Sequence, residues 1–132
     1  PDSESNSIAI IMQHLNGNMV SRWTDFLTTD GEKPDRNRDG EFETGPIPAS
    51  DLVAAWERGW TVLFQTLAAL REDDLLKTVQ IRGKGLTVLD AITKQISHYA
   101  YHVGQIVYVA KHLRSESWAT LSVPKRKQPS AP

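Results

Sequence analysis

Two histidines, His98 and His102, stand four residues apart in a segment with helical periodicity. At this spacing both side chains lie on one face of a helix with Cβ atoms ~6 Å apart, so both imidazoles can reach one metal ion. A third histidine, His14, lies on the flank of the apolar stripe of an earlier helical segment. This pattern favours a metal site at the mouth of a cleft between two helices. The alternative is that His98 and His102 are partly exposed and hydrogen-bonded to backbone or water.

Three neutral imidazoles with one open position would form a site of the catalytic type, because a bound water can ionise there or a substrate atom can coordinate. The chain has no cysteine, so thiolate ligands and disulfides are excluded. Nitrogen ligands suit zinc or nickel, with copper and iron as alternatives. Tyr99 follows His98 directly, so the H-E-x-x-H motif of zinc proteases is absent. The sequence identifies no catalytic acid or base, and we expect His112 to lie on the surface, about 15 Å along the helix from His102.

Three helical segments position these residues. Apolar side chains recur at three- and four-residue spacing over about 5–27, 50–71 and 87–113. The apolar residues of the third segment are Leu89, Ile92, Ile96, Val103, Ile106, Val107 and Ala110. The candidate N-caps are Ser5, Asn6 or Ser7 for the first helix, Ser50 for the second, and Thr87 with Asp90 for the third.

Two connections join the helices. The polar stretch 28–49 holds three of the eight glycines and three of the seven prolines, and so long a loop is either functional or mobile. The charged part of this loop, with Arg36, Arg38, Asp39 and Glu41, could cover the cleft and bind an anionic thiol through its arginines. The alternative is a solvated loop. In the segment 75–88 apolar residues alternate with polar ones, and Gly83 to Gly85 can supply a tight turn. This second connection is predicted to be a β-hairpin.

Length and composition bound the remaining possibilities. The 132 residues correspond to one domain, predicted over 1–114, with a disordered tail over 115–132. A net charge of −1 lacks the basic excess of a nucleic-acid binder, so we expect no nucleic-acid partner. No run approaches the ~18 apolar residues of a membrane helix, and the polar start PDSESNS is unlike a signal peptide. We therefore expect a cytoplasmic protein with no membrane contact.

Several segments resemble the DinB-like (YfiT-like) superfamily of bacterial metal-dependent four-helix bundles. The resemblance covers nearly the whole chain and is closest to a branch without an assigned function. The matching segments are QHLNGNM with His14, the following SRWTDFLTTDGEKP, and HYAYHVGQI with His98, His102, Gly104 and Gln105.

The resemblance implies an all-α, up-down-down-up bundle with one short hairpin, and a divalent metal held by His14, His98 and His102. It further implies a small-molecule substrate, a low-molecular-weight thiol such as mycothiol or bacillithiol, and a thiol-dependent transferase or hydrolase activity. Homodimers are common in the superfamily, so a homodimer is expected here. The superfamily's bundle has a further helix before the segment matching SNSIA, so we expect a fourth helix upstream of Pro1.

Two hypotheses of function follow from these observations. The first is an enzyme whose metal polarises a substrate atom or activates a water or thiol. The second is a non-catalytic, metal-stabilised helical bundle that acts as a binding or interaction protein. The sequence leaves open which of the two describes the protein.

Overall fold

The computed structural model describes residues 5–43 and 45–123. This part of the chain is mostly helical and contains three α-helices and one small antiparallel sheet of two strands. The predicted helical class with one hairpin is confirmed. In chain order the elements are α1 (Ile8–Trp23), α2 (Ala49–Ala69), β1 (Thr78–Ile81), β2 (Lys84–Thr87) and α3 (Val88–Leu113), with short 3-10 helices at Gly40–Phe42, Glu72–Asp74 and Ser115–Ser117.

Helix α1 is the central element and packs against both other helices. It begins where the Ser7 hydroxyl accepts a hydrogen bond from the Ile10 amide at 3.2 Å, so Ser7 is the N-cap. It ends at Trp23 rather than near residue 27, because Thr24 is extended and Asp25 adopts a positive φ of 47°. The predicted apolar stripe is nevertheless the core. Its buried members are Ile11, Leu15, Met19, Trp23 and, just beyond the helix, Phe26.

Helix α2 starts after Pro48 and lies along α1. The prediction that Ser50 caps this helix is wrong, because Ser50 lies inside it and its hydroxyl donates to the Asp51 carboxylate at 3.3 Å. Pro48 precedes the first turn, where its ring fixes φ and no side-chain cap forms. Gly59 allows close approach to α1, since an added Cβ would lie 3.2 Å from the Asn16 Cα. The two helices therefore pack almost backbone to backbone at this point.

The hairpin turns at Arg82 and Gly83, both of which have positive φ values, 55° and 69°. Two such residues between antiparallel strands form the type I′ turn that matches strand twist. The predicted turn at Gly83 to Gly85 is therefore too long, because Gly85 lies in β2 opposite Gln80. The Asp30 carboxylate accepts hydrogen bonds from the amides of Arg82 at 2.8 Å and Gly83 at 2.7 Å. These bonds tie the turn to the loop that follows α1.

Helix α3 begins as predicted but buries a different face. Thr87 is its N-cap, with the hydroxyl accepting from the Asp90 amide at 3.0 Å. The predicted apolar stripe is only partly buried: Ile92 and Ile106 pack against the core, whereas Leu89 is 50% and Ile96 63% exposed. The reason is that α3 turns its face with His98 toward α1, which rotates part of the stripe away from the core. The side chains that α3 buries are Val88, Ala91, Gln95 and Tyr99.

Helices α2 and α3 together carry a set of exposed apolar side chains, which we call the open apolar residues. Trp60 of α2 lies beneath them, with its ring 5.7 Å from Phe64 and 5.6 Å from Tyr99 of α3. Among residues 5–43 and 45–123, no element covers this set. Its members are Val53, Phe64, Leu89, Ile96 and Val103.

Two expectations concern the ends and the surroundings of the chain. The predicted tail over 115–132 contains the short helix Ser115–Ser117, and residues 124–132 lie outside the described part, so the tail and the boundary at 114 stay predictions. Within the described residues, none of the helices is both long and apolar enough to cross a membrane.

The two isoleucines Ile11 and Ile96 provide a matched test of this packing. Ile11→Ala is expected to lower the free energy of unfolding by about 2–5 kcal/mol, because a buried side chain is lost from the core. In the 132-residue chain Ile96→Ala should cost less than about 1 kcal/mol, because most of that side chain contacts water when no further helix covers it. Urea denaturation measures both. Equal losses would contradict the exposure of Ile96 in solution.

Candidate metal site

The three histidines predicted to bind a metal come together between α1 and α3. Their ring centroids are 5.3 Å apart for His14 and His98, 5.0 Å for His14 and His102, and 4.7 Å for His98 and His102. One nitrogen of each ring lies within 4.8 Å of one nitrogen of both others. The group could therefore hold a metal ion. His112 is exposed on the same helix, as predicted.

The donor set fits a divalent transition metal. Metal–nitrogen bonds of ~2.0–2.1 Å place two imidazole nitrogens of one ion ~3.0–3.5 Å apart. The Nε2 atoms of His14 and His98 are 3.2 Å apart, within that range. All three donors are imidazole nitrogens, which suit zinc, nickel, copper and iron alike. The geometry thus supports a metal without selecting one.

His14 is oriented by a carboxylate from the loop before α2. Glu41 lies in the short helix Gly40–Phe42, and its Oε2 accepts a hydrogen bond from His14 Nδ1 at 2.9 Å. Both side chains are buried. Because a carboxylate can only accept, the proton sits on Nδ1 and the lone pair of Nε2 points toward His98. Histidine ligands of metals are commonly oriented by a carboxylate in this way.

Glu41 is itself held by Arg36. The guanidinium donates from Nε to Oε1 and from Nη2 to Oε2, each at 2.7 Å. Burial alone would raise the pKa of Glu41, but the hydrogen bonds from His14 and Arg36 outweigh it and lower that pKa. The carboxylate is therefore ionised, with both oxygens engaged. This position also corrects the idea that Arg36 binds an anionic thiol, since its side chain is buried in ion pairs with Glu41 and Glu32.

His102 is oriented by a residue on its own helix. Its Nδ1 donates to the Gln105 amide oxygen at 2.8 Å, and the Gln105 amide nitrogen donates to the Tyr101 hydroxyl at 3.1 Å. The proton on Nδ1 leaves the Nε2 of His102 with a free lone pair. His14 and His102 thus have equivalent tautomers, with their outer nitrogens fixed and their inner nitrogens available.

His98 differs from His14 and His102 because none of the described residues orients it through its outer nitrogen. Its Nδ1 is buried and has no hydrogen-bond partner within residues 5–43 and 45–123. Burial, reinforced by the neighbouring His102 and His14, lowers the pKa of His98 to about 4. Burial also lowers the pKa of His102, against the raising effect of its bond to Gln105. Both rings are therefore neutral near pH 7, which is the form that binds metals.

Sequence reasoning missed the residues that orient the histidines. Gln105 carried a usable signal, because a residue three positions after His102 lies on the same helix face. Glu41 carried none, since it is one of several acidic residues in a long loop and lies 27 positions from His14. Phe42, whose ring centroid is 4.9 Å from that of His14, also had no sequence signal that pointed to the site. Only the folded loop brings these side chains to the site.

Comparison with known proteins places the chain in one family. A family model described as "Protein of unknown function (DUF1572)" matches residues 1–127, and the chain belongs to that family. No curated protein and no solved structure matches the chain. The family description states no activity, so the function has to be argued from the site.

The depressed pKa of His98 predicts how stability depends on pH. Between pH 6.5 and about 4 the unfolded chain binds a proton at His98 that the folded protein does not, so unfolding becomes more favourable as pH falls. The metal-free protein is expected to lose stability over this range through His98, by less than the ~1.4 kcal/mol per pKa unit of a fully buried group, because water partly screens this half-buried ring. Urea denaturation at pH 7, 5.5 and 4.5 measures the loss. A His98→Gln variant with an unchanged pH dependence would contradict the assignment.

Proposed function

We propose that the protein is a metal-dependent enzyme of the DinB-like superfamily in which His14, His98 and His102 hold a divalent ion, zinc or nickel. The observation that supports this most is the convergence of the imidazoles of His14, His98 and His102 from two helices. For His14 and His102, a hydrogen bond donated by the outer nitrogen leaves the lone pair on the inner nitrogen, which in His14 faces His98 Nε2 at 3.2 Å. Such paired bonds preorganise a site for a cation.

The proposed substrate is a small molecule, a low-molecular-weight thiol, and the proposed reaction is a thiol-dependent transfer or a hydrolysis. A metal bound by three imidazoles would supply Lewis acidity and lower the pKa of a bound water or thiol. The chain's own contribution is orientation, through Glu41 behind His14 and Gln105 behind His102. Phe42 covers one side of the His14 ring and keeps water from it. Glu41 is not proposed as a base, because both of its oxygens are engaged.

Removal of the histidines tests this function. The wild-type protein, purified without an affinity tag, is expected to carry a divalent metal, and His98→Ala and His102→Ala are expected to abolish its uptake. His112→Ala, a change at an exposed histidine of the same helix, is the control and should retain the metal. Inductively coupled plasma mass spectrometry measures the metal content. Full occupancy in the His98→Ala/His102→Ala double variant would refute the site.

The second candidate function is a non-catalytic bundle that binds a partner and uses the metal for stability. It is favoured by one observation, that the site joins α1 to α3 and a metal there would cross-link two helices. Binding energy of a metal that holds elements together appears as folding free energy. The two candidates therefore differ in how much stability depends on the ion.

Thermal melts with and without a chelator separate these candidates. For the proposed enzyme, chelation should remove turnover of thiol substrates while the unfolding midpoint changes little, because the helices already share a core. For the structural alternative, chelation should lower the midpoint strongly and no thiol substrate should turn over. Circular dichroism at rising temperature and a screen of thiol-transfer reactions provide the two measurements.

The proposal extends to the architecture and the assembly. We propose that α1, α2 and α3 are three helices of a DinB-like up-down-down-up bundle, in which a fourth helix covers the open apolar residues. Exposed apolar side chains at this density are typical of surfaces that are buried in the working protein. We further propose a single domain over residues 1–114 with a disordered tail, a homodimeric assembly, a cytoplasmic location and no nucleic-acid partner.

A further inference from the structure

Gly17 of α1 lies one turn after His14, and the space of its missing side chain is filled by Glu41. A Cβ added at Gly17 would overlap the Glu41 Oε1 atom and would lie 2.6 Å from its Cδ. Glycine inside a helix is less stable than alanine. Helix α1 thus carries an unfavourable residue at the place where the Glu41 carboxylate packs against its backbone. Any other residue at this position would push the carboxylate away from His14.

The opposite side of the carboxylate is occupied by an ion-pair network around the buried Arg36 side chain. Arg36, whose side chain is 5% exposed, engages both oxygens of Glu41 and also donates to the Glu32 carboxylate at 3.2 Å. Arg82 of the hairpin turn donates a hydrogen bond from its Nε atom to the Glu32 carboxylate at 3.3 Å. The Glu41 carboxylate therefore lies between Gly17 of α1 and the Arg36 guanidinium, whose orientation is restricted by its bonds to Glu41 and Glu32. In this position the carboxylate faces His14 Nδ1 at 2.9 Å.

The location of the carboxylate excludes two other roles at the site. It lies on the Nδ1 side of His14, whereas the inner nitrogen, Nε2, faces His98. It is thus behind the ring rather than among the convergent nitrogens, so it is not a fourth ligand. Both oxygens already accept hydrogen bonds, from His14 and Arg36, so no free lone pair is directed at a proton of a bound molecule.

We propose that Glu41 is the positioning residue of the metal site, with Gly17 providing its space and Arg36 its anchor. By accepting the Nδ1 proton, Glu41 holds His14 in the tautomer whose Nε2 can bind a cation and makes that nitrogen a stronger donor. The loop before α2 is then a part of the metal site, although it contributes no ligand. This inference rests on the proposed function, since it requires His14 to be a ligand.

Variants on both sides of the contact test the proposal in the full-length chain. Glu41→Ala is expected to weaken zinc binding by about 10- to 100-fold, the usual effect of losing an orienting partner behind a metal ligand. Glu41→Gln keeps an oxygen that can accept from Nδ1 and should weaken binding less. Gly17→Ala keeps the glutamate but displaces its carboxylate from His14. The loss of zinc affinity in this variant should therefore approach the loss in Glu41→Ala. Competition with a chromophoric chelator measures the zinc affinity.

Matched controls separate positioning from general damage. Glu43→Gln removes an exposed carboxylate of the same loop and should leave zinc affinity unchanged. Gly104→Ala is the control for a glycine in a helix, because its added Cβ meets no atom of the described residues within 4 Å. A second readout is the tautomer of His14 in metal-free, ¹⁵N-histidine-labelled protein, observed by long-range proton–nitrogen correlation. The Nδ1 proton should dominate in the wild type and lose that dominance in Glu41→Ala and Gly17→Ala.

The outcomes distinguish this inference from the function on which it rests. A wild-type protein that binds no zinc or nickel overturns the metal site itself. A wild-type protein that binds zinc, with Glu41→Ala and Gly17→Ala binding as tightly as the two controls, overturns the role of Glu41 alone. Weaker binding and an altered His14 tautomer in both variants, with intact helical circular dichroism, support it. Gly17→Ala keeps the test decisive if Glu41→Ala fails to fold.

Discussion

The buried hydrogen bond between His14 and Glu41 is the contact on which the local structure depends. A carboxylate removed from water is stable only when its oxygens are fully paired. Glu41 meets this condition through His14 on one side and Arg36 on the other. That requirement explains the course of the loop before α2, the glycine at position 17 and the buried position of a guanidinium. It also fixes which nitrogen of His14 faces the other two histidines.

Helix α1 carries two buried stripes, one apolar and one polar, and the histidine site lies on the polar stripe. The apolar stripe packs into the core, while a polar one repeats every four residues through His14, Asn18 and Arg22, all at most 6% exposed. The polar stripe faces α3, where the Tyr99 hydroxyl accepts a hydrogen bond from Trp23 Nε1 at 2.7 Å and donates to Asn18 at 3.5 Å. Burial raises the pKa of Tyr99 to about 12, so this hydroxyl keeps its proton. Polar contacts therefore hold the two helices that present the histidines.

The open apolar residues have the same origin. Because α3 turns its polar face with His98 toward α1, part of its apolar stripe faces solvent, and Phe64 of α2 is exposed as well. Helix α3 packs its polar face on α1, so α1 cannot also cover the apolar side chains on another face of α3. The convergence of the histidines and the exposure of these apolar side chains are thus two consequences of one orientation of α3 about its axis.

The sequence by itself determined the helices, the hairpin and the identity of the histidine group. These depend on local signals: three- and four-residue periodicity, the Thr87 cap, the strand alternation and the four-residue spacing of His98 and His102. Only the tertiary structure decided which face of α3 is buried and which carboxylate stands behind His14. Periodicity predicts that an amphipathic helix buries one side. It does not show whether the polar face with His98 or the apolar face of α3 packs against α1. Glu41 reaches His14 only through the folded loop, at a sequence distance where no spacing rule applies.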